Sequence, residues 1–83
     1  MKTMSYSQFE QLYFRALMQA PDYRLGQCFI YYFMQDSSTP EMLKLWNEKG
    51  LDTARKMIYS IIERYHWDMN NLQILDGREL YFD

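Results

Sequence analysis

Apolar positions along the chain fall into four stretches with helical spacing and a final stretch with strand character. In the first, Phe9, Leu12, Tyr13, Ala16, Leu17 and Ala20 recur at the steps of one helix face. Phe14 and Met18 lie beside that stripe and are expected to widen the buried arc. Ser5 with Gln8, and Ser7 with Glu10, form overlapping capping boxes. In either, the serine oxygen accepts a free backbone N–H while the later side chain reaches back. Met4 and Phe9 suit the hydrophobic staple of the first box. Pro21 stops the helix, which is expected over 6–19.

The second stretch is expected to be helical over about 24–35, with Asp22 as a candidate N-cap. Leu25, Cys28, Phe29, Tyr32 and Phe33 share one face, and Ile30, Tyr31 and Met34 the other. A helix that is apolar all round is central, or buries its second face against something else. The third helix, 40–49, has Thr39 as N-cap, Pro40 in the first turn and Glu41 at the positive helix end. Its apolar residues are Met42, Leu43, Leu45 and Trp46, and Gly50 is expected to close it in a left-handed conformation. The fourth, 53–66, follows Asp52 as N-cap. Ala54, Met57, Ile58, Ile61, Ile62 and Tyr65 form its stripe. Arg55, Lys56, Tyr59, Ser60, Glu63 and Arg64 form its other face. Residues 72–75 and 78–82 flank Asp76-Gly77 and read as a β-hairpin with a type I′ turn. The expectation is one mainly α domain, 1–83, with four helices and a C-terminal β-hairpin that packs on the helices or adds to a partner's sheet.

Composition adds a reason such a short chain can fold. It has 83 residues, of which 48% are hydrophobic and 18% aromatic. Each buried aromatic removes about 150–250 Å² from water, which supplies a core that a small domain otherwise lacks. The single cysteine, Cys28, excludes an internal disulfide and fits a reducing compartment. No apolar run reaches the roughly 20 residues of a membrane span, and the N-terminus leads directly into polar sequence. A cytoplasmic location, with no membrane partner, is expected. A net charge of −2 argues against a general nucleic-acid binder, whose affinity rests on neutralising phosphates.

The residues of chemistry do not assemble into a catalytic or metal pattern. His66 is the only histidine and has no ligand or base partner at a recognisable spacing. It is expected at the end of the fourth helix, facing the negative helix terminus. Cys28 lies in an apolar run and is expected to be buried. The acidic residues Glu10, Asp22, Asp36, Glu41, Glu48, Asp52, Glu63 and Asp68 are scattered, mostly at caps and first turns. No cofactor is implied, and a non-enzymatic chain is expected.

The surface is more informative. Ile30, Tyr31 and Met34 on the second helix, Arg55, Tyr59 and Glu63 on the fourth, and Trp67 and Tyr81 near the end all fall off the main stripes. Tyr, Trp, Met and Arg are enriched in protein interfaces. These eight are the expected contacts to another protein or to a second copy of the chain. An alternative takes the third and fourth helices as a helix-turn-helix. Arg55, Lys56, Tyr59 and Arg64 would then face DNA.

Pro21-Asp22-Tyr23-Arg24-Leu25-Gly26-Gln27 resembles a segment of short uncharacterised helical proteins of bacteria and their phages. In those, Pro, an acidic residue, an aromatic, Arg, any residue, Gly and Gln separate a first helix from an apolar second one. The resemblance covers about residues 9–34. It implies a phage or mobile-element origin and an inhibitor that occludes a host protein or defence complex. Within the segment, Arg24 is expected to cap or pair near the start of the second helix. Gly26 is expected to let the first helix approach closely.

Overall fold

A computed structural model describes residues 2–78 of the chain. The order of elements is β1 (Thr3–Met4), α1 (Tyr6–Gln19), α2 (Leu25–Phe33), α3 (Pro40–Asn47), α4 (Leu51–Arg64) and β2 (Leu72–Gln73). The fold is mainly α, with four helices and a two-stranded antiparallel sheet.

Of the two overlapping capping boxes, the chain uses the first. Ser5 Oγ accepts from the Gln8 backbone N–H at 3.1 Å, and Gln8 Oε1 accepts from the Ser5 N–H at 2.9 Å. Met4 and Phe9 both enter the core, as a staple requires. Tyr6, Phe9, Tyr13 and Ala16 form the buried face of α1, with Leu12 and Leu17 packed at its margin. Phe14 and Met18 do not widen it: Met18 is 85% exposed.

The centre is α2, which packs against α1, α3 and α4. Around Phe29 the rings interlock: Phe9 meets Phe29 edge-on at 5.8 Å and Phe33 at 5.6 Å. Such pairs add about 0.5–1.5 kcal/mol beyond area burial. The N-cap is Arg24 rather than Asp22; its backbone N–H donates to Gln27 Oε1 at 3.1 Å. The Arg24 guanidinium donates instead to the Asn47 carbonyl at the end of α3, at 3.3 Å. The second face of α2 is also covered. Ile30 is buried, while Tyr31 and Met34 are partly buried against the core. The segment after β2 contributes to that cover. The Leu75 N–H donates to the Tyr32 carbonyl at 2.9 Å, and the Arg78 guanidinium lies 5.1 Å from the centre of the Tyr31 ring. The aromatic excess of α2 is therefore core on both sides.

Thr39 caps α3 through its hydroxyl, which accepts from the Met42 N–H. The helix ends at Asn47, and Gly50 has φ −78° rather than a left-handed value. Gly50 is the N-cap of α4, which starts at Leu51, so Asp52 lies in the first turn rather than at the cap. Asp52 pairs there with Arg55. Ala54, Ile58, Ile61 and Ile62 are buried, but Tyr65, expected on that stripe, is 49% exposed. The reason is the way α4 ends. His66 takes φ +57°, its N–H donates to the Glu63 carbonyl and the Trp67 N–H donates to the Ile62 carbonyl. This is a Schellman motif with histidine where glycine usually stands. It reverses the chain, and the following turn brings the Met69 carbonyl to the Tyr6 N–H at 2.7 Å.

In the sheet, β2 pairs antiparallel with β1, Thr3 opposite Gln73 and Met4 opposite Leu72. The expected second arm of the hairpin, 78–82, lies almost wholly outside the described residues. Its turn is formed. The Arg78 N–H donates to the Leu75 carbonyl, and Gly77 has φ +82°. Asp76 does not share that sign. A type I′ turn needs both central residues at positive φ; one at the second position is the type II pattern.

Candidate functional site

The left-handed turn after α4 leaves two aromatic side chains on the surface. Tyr65 and Trp67 stack with ring centres 5.2 Å apart and planes 28° from parallel. Trp67 also approaches Phe29 at 6.5 Å, which anchors the pair on the core. Beside them runs an open groove of about 800 Å³. Its apolar wall includes Met34, Met42 and Leu75; the connection after α2 and the start of α3 supply Asp36 and Glu41. His66 and Asp68 line the near side. A non-glycine residue at positive φ costs roughly 1–2 kcal/mol, and such strain concentrates at functional positions.

Two carboxylates of this groove, Asp36 and Asp68, are held in their charged form. The Ser38 hydroxyl and N–H both donate to Asp36 Oδ1, at 2.7 and 2.9 Å, and hold its carboxyl below the usual range. The Asn70 N–H and the Asn71 side-chain amide do the same for Asp68. Glu41 is ion-paired with Arg64, whose guanidinium also lies 5.7 Å from the Tyr65 ring centre. Among the described residues, no lysine or arginine lines the groove.

The expected contact residues divide. Trp67 and Met34 line the groove. Ile30 is removed from any surface by burial, and Tyr31 sits beneath Arg78. Arg55 is turned inward to Glu10, donating from Nε and Nη2 at 2.7 and 2.8 Å. Glu10 also accepts from the Tyr6 hydroxyl at 2.5 Å. The Arg55 guanidinium holds the Glu10 carboxyl below its ordinary range, against the opposing effect of burial. Burial, then Glu10, pushes the Tyr6 phenol above its ordinary value. Tyr59 is 43% exposed with its ring 5.1 Å from Tyr6, and Glu63 is exposed. Tyr59 thus belongs to the side of α4 near Tyr6. Tyr81 lies outside the described residues.

Tyr65, Asp36 and Asp68 line the groove without having been among the residues expected to touch a partner. Tyr65 carries the right spacing for the α4 stripe, and only the early end of the helix turns it out. A signal was present in the run Tyr65-His66-Trp67-Asp68, which puts two aromatics and an acid at a helix end.

Cys28 is buried, and burial pushes its thiol up to about 12. Among the described residues, no three of His, Cys, Asp and Glu gather as a metal site, and no helix is long and apolar enough to cross a membrane. No protein-family model, curated protein or solved structure matches the chain.

Proposed function

We propose that this chain is a non-enzymatic protein-binding module that docks through the groove beside Tyr65 and Trp67. The single observation that carries this reading is the stacked, half-exposed aromatic pair at the edge of an open groove of about 800 Å³. Rigid aromatics anchored on a core and open on one side are what interface hot spots are made of. The strained His66 between them supports the same place. The mechanism is steric: the groove engages a partner and the rest of the domain covers what lies next to it. In its finer form the partner is a host protein or defence complex, and the chain is a cytoplasmic, phage-borne inhibitor. That form draws on the resemblance of Pro21–Gln27. The helix-turn-helix alternative is weaker, because Arg55 and Arg64 are already engaged by Glu10 and Glu41. Homodimerisation through the second face of α2 is weaker too, because that face is covered.

The test is affinity capture from host lysates with the intact chain and with Tyr65→Ala. One dominant partner, retained by the native chain and lost by the variant, is the expected result. A dominant partner held equally by both removes the groove from the reading.

A further inference from the structure

We infer that the groove receives a basic segment of the partner protein, with an arginine side chain seated against the Tyr65–Trp67 pair and its charge met by Asp36 and Asp68. This rests on the protein-binding reading and adds the chemistry of the occupant.

The sign of the groove comes first. Its lining includes three carboxylates, from Asp36, Glu41 and Asp68, and no lysine or arginine among the described residues. Glu41 already has Arg64 as its counter-ion. Asp36 and Asp68 are held ionised by hydrogen bonds from neutral donors, Ser38, Asn70 and Asn71. Their negative charge is thus stabilised without being cancelled. An acidic segment would meet repulsion here, and an apolar one would cover these carboxylates without giving them a partner.

Next come the rings. An aromatic face attracts a cation, and guanidinium is the cation suited to stacking because it is planar and weakly hydrated. The molecule already contains such an arrangement on this rim. Arg64 lies over Tyr65 while its guanidinium binds Glu41. Trp67, with Asp68 next to it in sequence, offers a second ring and a carboxylate that lacks an arginine among the described ion pairs. Arginine is favoured over lysine on these grounds, and the attraction weakens with salt.

The experiment is an amide and indole NMR titration of the full chain with three capped pentapeptides, in which glycine alternates with arginine, lysine or glutamate. The arginine peptide is expected to shift the Trp67 indole and the Asp36 and Asp68 amides. It should bind more tightly than the lysine peptide, and the glutamate peptide should leave those signals in place. The double variant Asp36→Asn, Asp68→Asn should weaken the arginine peptide by about fivefold, the scale of two exposed ion pairs at about 0.5 kcal/mol each. Both sites are exposed, so this variant retains the fold, and its own spectrum verifies that.

The inference is overturned by equal shifts from the glutamate peptide, by arginine-peptide shifts as large at Glu48 and Asp52 as in the groove, or by an unchanged affinity in the double variant. If the arginine peptide fails while Tyr65→Ala still releases a captured partner, the basic occupant falls and the binding module stands. If the captured partner ignores Tyr65→Ala, the module reading at this groove falls as well.

Discussion

Gly26 in α2 lies directly against Leu45 in α3. A Cβ at Gly26 would stand 2.3 Å from the Leu45 carbonyl oxygen and 2.9 Å from its side chain. The close approach that this glycine permits is therefore by α3, not by α1. Arg24, two residues earlier, binds the end of the same helix at Asn47. Gly26→Ala is expected to destabilise the domain by about 1–3 kcal/mol, because the obstacle is backbone and cannot swing away. A urea titration checks it; an unchanged midpoint would mean that α2 and α3 separate at little cost.

The Glu10–Arg55 contact links α1 to α4 across the domain surface, and it carries a pH signature. The folded-state carboxyl of Glu10 is depressed, chiefly by Arg55. Its stabilising contribution is complete above the unfolded value of about 4.3 and disappears as pH falls through the lower folded value. Glu10→Gln should make the native chain less stable at neutral pH. It should also flatten the loss of stability on acidification below about pH 5. Urea midpoints measured across that range give both. A variant as acid-sensitive as the native chain would show that Glu10 is not a source of the slope.

Cys28 reports on the core. It is 1% exposed, and burial holds its thiol protonated well beyond neutral pH. A thiol reagent should label it at least about a thousandfold more slowly in the native chain than in urea, the ratio set by a stability of about 5 kcal/mol. The raised thiol value also makes folding less favourable as pH rises above about 8.5, where the unfolded thiol ionises first. Rapid labelling in native buffer would contradict the packing of α2.

Much of this architecture is written plainly in the sequence, for identifiable reasons. The box at Ser5 and Gln8, Thr39-Pro40 and the isoleucines of α4 are local signals, and each formed where its chemistry placed it. What local signals leave open is decided by packing between distant segments. Gly50 satisfies the start of one helix as readily as the end of another, so α4 began earlier than Asp52 suggested. Whether Ile30 and Tyr31 are inside depends on where residues 74–78 return, and α2's own periodicity carries no information on that. The groove was legible only in Trp67 and Met34. Tyr65 was hidden by its spacing, and Asp36 and Asp68 gained their meaning from a turn that brings them to one concavity.

His66 tests whether the turn is strained for a purpose. His66→Gly relieves the left-handed backbone and should stabilise the domain by about 0.5–1 kcal/mol, after glycine's greater unfolded-state freedom is offset. That is a rise of about 4 °C in thermal midpoint for a domain this size. His66→Ala keeps the strain and should give no such rise. A lower midpoint for the glycine variant would mean that the imidazole itself holds the turn.

The central claim is that the binding surface is the groove at Tyr65 and Trp67 and not the side of α4 that carries Tyr59. Both tyrosines are about half exposed, at 49% and 43%, so either can be truncated without emptying the core. The direct measurement is the calorimetric affinity of a captured partner for the native chain, Tyr65→Ala and Tyr59→Ala. Tyr65→Ala is expected to weaken binding by tenfold or more, the scale of an interface hot spot at about 2 kcal/mol, with Tyr59→Ala within about threefold of native. A tenfold loss from Tyr59→Ala, with Tyr65→Ala unchanged, would contradict the account.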